Sequence, residues 1–287
     1  MLRRMFPALA LVAMLASAAS AQTVDEIIAK SVAARGGMEK IKAIQTIRMT
    51  GKMTVGPGFE APVIIESRRP NQTKMTFTIQ GMNGTQAYDG KVGWAVMPFM
   101  GKKDPEPMSA DDTKEIADDA DIDGPLLDYK AKGNTVELLG KDSVEGTDAW
   151  KIKLTLKSGT VRTVYIDADS YLEIKTEGKR TMRGTEMEFE GTIGDYKPVE
   201  GVMFPFSLEN GVVGHPEKQK VTIDKVEINP KLAADFFAMP AKADSGATVA
   251  TSPKADEKPQ SAKATDASAA KSGDTSKKTA KKPATKP

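Results

Sequence analysis

No cysteine occurs anywhere in the 287-residue chain. That excludes disulfide staples, thiolate metal sites and acylation on an N-terminal thiol, so stability has to come from an apolar core. Histidine is almost as scarce: His215 stands alone between Gly214 and Pro216. No Ser or Cys in a nucleophile elbow accompanies it and no second histidine completes a metal set, so it is read as a surface loop residue rather than a general base. Aromatic residues make up only 6%, too few to line a sugar cleft. The repeated carboxylates Glu186, Glu188 and Glu190 are accordingly read as one charged strand face, not as glycosidase acids. Phosphate-cradling glycine motifs are absent. These absences leave no catalytic residue, no metal and no cofactor to assign, and rank an enzyme last among the function classes.

Long apolar runs are missing too, apart from one at the start. Residues 1–21 are read as a cleaved signal peptide: Arg3 and Arg4 are its positive start, Leu9 to Leu15 its short apolar stretch and Ala19-Ser20-Ala21 its cleavage site. Arg3-Arg4-Met5-Phe6 half-matches a twin-arginine signal, but an ordinary basic start is preferred because no cofactor calls for folded export. The mature chain, from Gln22, is expected not to span a membrane. The far end lacks a different ingredient. Residues 241–287 contain no aromatic and one large aliphatic residue, Val249, among Ala, Lys, Ser, Thr, Pro and Asp. Such a segment buries too little to order itself and is predicted to be a disordered basic tail, read as a solvated spacer in preference to a segment weakly attracted to anionic envelope surfaces. Its ten lysines against five acids give it +5. With Arg3 and Arg4 set aside, the overall +2 leaves residues 22–240 at −5, which argues against nucleic-acid binding by that part.

What is present between residues 22 and 240 suits one domain. Thr23 and Glu26 form a capping box for a helix whose Val24, Ile27, Ile28, Val32 and Ala33 share a face, ending at Gly36-Gly37. A second helical piece follows from Met38 to Ile44. The period then becomes two. Ile47, Met49, Met53 and Val55 alternate with Arg48, Thr50, Lys52 and Thr54, and Met75, Phe77 and Ile79 with Lys74, Thr76 and Thr78. Further on, Trp150, Ile152, Leu154 and Leu156 alternate with polar residues, as do Met187, Phe189 and Ile193. Strands apolar on one side and charged on the other belong to an antiparallel sheet wet on one face. Asp89-Gly90 and Ser158-Gly159 mark two-residue hairpins, and Asn83-Gly84, Glu145-Gly146 and Glu200-Gly201 further reversals. About eleven strands are expected in a meander. Ser109 caps a helix near Asp111 to Ala120, Asp123-Gly124-Pro125 opens another ending near Gly133, and a closing turn carries Leu232, Phe236 and Phe237.

So many strands with one apolar face and so few helices cannot lie flat without exposing that face. The predicted fold is a β-rich α+β domain: a curled antiparallel sheet, an unclosed or half β-barrel, with short helices covering the opening. Sparse helical filling favours an internal apolar cavity. Its candidate lining residues are Met49, Met53, Met75, Phe77, Ile79, Trp94, Val96, Trp150, Ile152, Leu154, Met187 and Phe189. Twelve of the fifteen methionines fall in this domain, where they serve either as core filling or as a surface for varied apolar partners. Pro98-Phe99-Met100 before Gly101-Lys102-Lys103 suggests a loop at the cavity mouth, with Phe99 and Met100 as its apolar tip. Asp119, Asp121, Asp123 and Gly124 match half an EF-hand loop. Lys130 stands where the bidentate Glu belongs, so the acidic run is read as a solvated helix followed by an Asp cap.

Several segments resemble bacterial outer-membrane lipoprotein-sorting proteins of the LolA/LolB-like superfamily: AARGGMEKIKAIQTIRMTGKM from Ala33, QAYDGKVGWAVMP from Gln86, ADIDGPLLDYKAKGNTVELLGKDSVEGTDAWKIKLTLKSG from Ala120, YIDADSYL from Tyr165 and FFAMP from Phe236. The resemblance implies an unclosed barrel of about eleven strands enclosing an acyl-chain cavity, in the periplasm of a Gram-negative cell. It further implies lipid or an acylated lipoprotein as ligand, with an inner-membrane transporter or an outer-membrane acceptor as partner. The lipoprotein carrier of that superfamily uses an arginine on a strand to hold its helical lid shut, and no arginine here is assigned to that role. The resulting expectation is a monomeric, non-enzymatic periplasmic carrier. The alternative is a lipid sensor or adaptor of the same fold.

Overall fold

The computed structural model describes residues 22–56, 58–182 and 185–241. The expected signal peptide, and the expected tail beyond residue 241, lie outside the described residues. Helix α1 (Val24–Ala34) begins on the anticipated capping box, with the Glu26 amide donating to Thr23 Oγ1 and the Thr23 amide to Glu26 Oε2. Helix α2 (Met38–Ala43) follows.

A first meander comprises β1 (Thr46–Thr54), β2 (Glu60–Arg68), β3 (Gln72–Ile79), β4 (Met82–Tyr88), β5 (Gly93–Met97) and β6 (Lys102–Pro107). Helices α3 (Ala110–Asp119) and α4 (Tyr129–Lys132) lead to a second: β7 (Thr135–Val144), β8 (Thr147–Thr155), β9 (Val161–Asp167), β10 (Glu173–Met182), β11 (Thr185–Val199), β12 (Val202–Val212) and β13 (Lys218–Ile228). Every neighbour is antiparallel. The meanders join where β1 pairs with β13, Ile47 opposite Ile228 and Met53 opposite Val221, giving one thirteen-stranded sheet whose free edges are β6 and β7. The sheet is unclosed, as expected, but has thirteen strands rather than about eleven. One strand that escapes the periodicity is β6, Lys-Lys-Asp-Pro-Glu-Pro, which has no apolar alternation; its prolines are tolerated because an edge strand leaves half its backbone unpaired.

One face of the sheet carries the core. Met53, Ala61, Val63, Phe77, Phe204, Phe206, Val221 and Ile223 pack with Ile41 and Ile44 of the α2 region and with Leu127. A second cluster, Ile152, Leu154, Leu156, Val164 and Ile166, packs under Ile27 and Ile28 of α1. Ile152 and Leu154 lose all solvent contact, worth about 1.5–3 kcal/mol each. At Gly51 the pairing of β1 with β13 shifts register, and a Cβ there would stand 2.0 Å from the Thr222 carbonyl oxygen.

The reversals follow turn chemistry where two residues adopt positive φ. Glu145-Gly146 and Glu200-Gly201 do so, as type I′ hairpins require. Asn83-Gly84, expected as a reversal, lies inside β4, and the turn is made three residues earlier by Gln80-Gly81. Gly84 is used for room instead: an added Cβ would stand 2.7 Å from the Phe77 ring and 2.8 Å from the Phe99 ring. Asp89-Gly90 belongs to a four-residue loop in which the Asp89 carboxylate accepts the Lys91 and Val92 amides.

Candidate ligand-binding site

The pairing sorts the expected lining residues by face. Met49 stands opposite Ile65 and Ile65 opposite Met75, while Phe77 stands opposite Val63. Met49, Met53, Met75, Phe77 and Ile79 therefore share the helix-covered face. Met53 and Phe77 are buried, whereas Met49, Met75 and Ile79 keep part of their surface open. Trp150, Ile152 and Leu154 also point inward, but into the second cluster, where α1 covers them. Met187 and Phe189 face inward on β11, opposite Arg180 and Val212, with the Arg180 guanidinium 5.2 Å from the Phe189 ring centroid.

Trp94 and Val96 do not belong to this set. Trp94 pairs with Ala87 and Val96 with Thr85, which puts both on the outer face. There the chain's last described stretch folds back over the sheet. The Trp94 indole donates to the Phe237 carbonyl at 2.9 Å, and Arg68 donates to the Ala233 and Ala234 carbonyls. Lys74 lies 4.4 Å from the Phe236 ring centroid. Period-two alternation shows that a residue faces a core without saying which of two cores, and Trp94 serves the outer one.

Phe99 and Met100 form a 3-10 turn at the β5–β6 tip. Phe99 folds back so that its ring centroid is 5.7 Å from that of Phe77, whereas Met100 projects outward.

The helical cover is tied down by arginines that sequence reasoning left unassigned. Arg69, directly after β2, grips Asp123 with two nitrogens at 2.5 and 2.9 Å and donates to the carbonyls of Ile41 and Ile44. Arg35 donates to the Asp123 carbonyl at 2.7 Å. Burial alone would raise the Asp123 carboxyl; the hydrogen bonds and charge of Arg69, with Lys132 and Lys42 nearby, hold it below its ordinary value. Asp123 is thus no helix cap, and α4 starts only at Tyr129, after Asp128. Nor is the acidic run simply solvated. Asp119 pairs with Arg162 at 2.7 Å and Asp121 with Lys132 at 2.5 Å, while Glu115 meets Arg180 at 2.5 Å. Asp118 accepts from Ser158 and Thr160. Among the described residues no group of three acids or histidines is placed to hold a metal ion.

Two hollows accompany this arrangement. An apolar groove of about 440 Å³ runs between α1 and α4, lined by Ile28, Ala29, Val32, Met38, Leu126 and Tyr129, with Asp25 and Lys130 at its rim, within the span of small-molecule sites. The other, about 210 Å³, lies on the outer face among Tyr165, Lys175, Glu177, Glu190 and Lys218. Its charges satisfy one another: Lys175 bridges Glu177 and Glu190, and Lys218 bridges Glu190 and Glu209. The inward face of the second meander is more polar than that of the first, with Arg162, Glu173, Thr176 and Arg180. Burial raises the Glu173 carboxyl, although the Thr176 hydroxyl donates to it at 2.7 Å.

No protein-family model matches the chain, and no curated protein matches it. Solved structures do. A LolA-superfamily protein from Nitrosomonas europaea is 13% identical with a TM-score of 0.51, covering 76% of this chain and 98% of its own. An outer-membrane lipoprotein-sorting protein domain from Vibrio parahaemolyticus is 13% identical at TM-score 0.49, covering 70% and 94%. At this identity the likeness is one of fold: the chain folds as LolA-superfamily proteins do, a large unclosed antiparallel sheet with short helices.

Proposed function

We propose that residues 22–240 carry an amphiphile with at least one alkyl chain, a lipid or the acylated end of a lipoprotein, through the periplasm without performing chemistry on it. The observation that supports this best is the band of inward-facing Met49, Ile65, Met75 and Ile79, which faces the helix-covered interior yet stays partly open. Two of these neighbours, Met49 and Met75, are flexible and polarizable enough to reshape around a guest. Burying eight methylenes would contribute about 6 kcal/mol, part of which offsets the entropy of association. The fold likeness to a LolA-superfamily protein agrees with this reading. Arg69 is the residue the geometry offers as a lid latch, since it follows a strand and ties α2 and the α3–α4 segment together. Delivery runs between an inner-membrane exporter and an outer-membrane acceptor, with the protein acting as a monomer and residues 241–287 as a spacer.

The test is uptake of a fluorescent fatty acid by the delipidated full chain, alongside native mass spectrometry of protein purified from a Gram-negative envelope. Micromolar uptake, weakened about tenfold or more by Met75→Asp, supports the carrier. A delipidated chain that takes up no alkyl probe ends that reading.

A further inference from the structure

The antiparallel order places the β5–β6, β3–β4, β1–β2 and β12–β13 turns side by side along one end of the sheet, because their strands are consecutive in the order β6-β5-β4-β3-β2-β1-β13-β12. Each of these four turns, or the residue beside it, presents a large apolar side chain to solvent. Met100 is 65% exposed, Met82 37%, Phe59 49% and Val213 45%. A row of four such tips on adjacent hairpins is a different matter from apolar residues scattered singly, which are ordinary on any surface. The opposite end is differently built. There the helices close over the sheet and the reversals are polar, Glu145-Gly146 and Glu200-Gly201 among them, with Val92 and Met38 exposed on separate elements rather than in a row of adjacent tips.

Two further features give the row a direction. Immediately behind the tips lie Val55, Ile79, Met97 and Phe99, partly buried and packed against the main core, so apolar surface runs unbroken from the tips into the interior. Beside them stand Lys103 and Lys220, which make no ion pair among the described residues, whereas Lys102 is paired with Glu106 and Lys218 with Glu190 and Glu209. Apolar tips with lysine shoulders match the two layers of a phospholipid surface, acyl chains below and anionic headgroups above.

We infer that this row of hairpin tips docks on a phospholipid bilayer, Phe59, Met82, Met100 and Val213 entering the interface and the Phe77–Phe99 contact lying at the threshold of the interior. The inference rests on the carrier reading for its purpose, since it names the surface from which an alkyl chain passes inward without crossing water. Its measurement does not depend on cargo.

The experiment compares the full chain with two surface variants: Phe59→Ser/Met82→Ser/Met100→Ser/Val213→Ser at the tips, and Ile64→Ser/Val92→Ser/Leu139→Ser elsewhere. Each is tested for partition onto phosphatidylethanolamine–phosphatidylglycerol vesicles in about 1 M salt, where the Debye length falls to about 3 Å and the lysine-rich tail is screened. The tip variant should lose about tenfold or more in partition, the other less than about twofold. Because the chain has no cysteine, Met100→Cys and Leu139→Cys can each carry a single environment-sensitive dye, and only the first should shift to the blue on vesicle addition. Equal partition of wild type and tip variant, or no dye shift at position 100, overturns the inference; a wild type that ignores vesicles does so as well, and turns the tips into a candidate protein contact. Loss of fatty-acid uptake in vesicle-free solution would instead count against the carrier reading alone.

Discussion

The two ends of the sheet are held in opposite ways. At one, Arg69 and Asp123 form a buried, two-pronged ion pair that also satisfies the carbonyls of Ile41 and Ile44, fixing helical cover over the strands. At the other, four hairpin tips expose apolar side chains that no helix covers among the described residues, and the Phe99 ring closes on Phe77 behind them. A buried charge pair is all-or-none: either partner alone leaves an uncompensated charge. Exposed apolar tips contribute little to folding and are free to meet something else. The contrast separates a part of the molecule built for stability from one whose residues stability does not explain.

The sharpest way to break the contrast is at the buried pair. Arg69→Ala leaves Asp123 without its partner and is expected to cost about 3–5 kcal/mol in urea unfolding. The pair also predicts an acid limb. Because the folded protein holds Asp123 below its ordinary 3.8, the pair's contribution is present above that pH and is lost as pH falls through the lower folded value. Asp123→Asn should flatten that limb in a pH series of melts. Glu115 runs the other way. Burial raises its carboxyl above 4.5, so its contribution is full below that pH and is lost as pH rises through the folded value, a slope that Glu115→Gln should remove.

A smaller effect is expected behind the tips. Gly84→Val crowds the Phe77 and Phe99 rings, and overpacking of this kind costs about 1–3 kcal/mol. Since Phe99 sits on the β5–β6 tip rather than in the buried core, fatty-acid uptake should change more than stability; unchanged uptake would place the threshold elsewhere. Arg180→Ala removes half-exposed pairing with Glu115, and should cost no more than about 1 kcal/mol, vanishing at high salt. Smallest of all, serine at any one tip should change the free energy of unfolding by no more than about 0.5 kcal/mol. A larger loss at Met100 or Val213 would mean the tips are part of the core after all.

Much of the fold was legible before any coordinates. The capping box of α1, the inward alternation of Met49, Met53, Met75 and Phe77, and the reversals at Glu145-Gly146 and Glu200-Gly201 are local signals that the tertiary structure keeps. Trp94 was misplaced because alternation assumes one apolar side per sheet, and the stretch around Phe236 and Phe237 creates a second. Asn83-Gly84 has good turn chemistry but was overruled by two aromatic rings that need the space. Asp123 read as a cap because nothing local reveals a partner 54 residues away. Met82, Phe59 and Val213 carried no signal, since each is an ordinary residue beside an ordinary turn.

Period, capping and turn residues are properties of neighbours in the chain, and through them the sequence alone determined that this is a long one-sided meander too large to lie flat. Which strand meets which, that β1 closes on β13, that Arg69 finds Asp123, and that four separate tips line up in one row depend on distant segments meeting. Only the tertiary structure decided them, because the free energy of those contacts exists only once the sheet has curled.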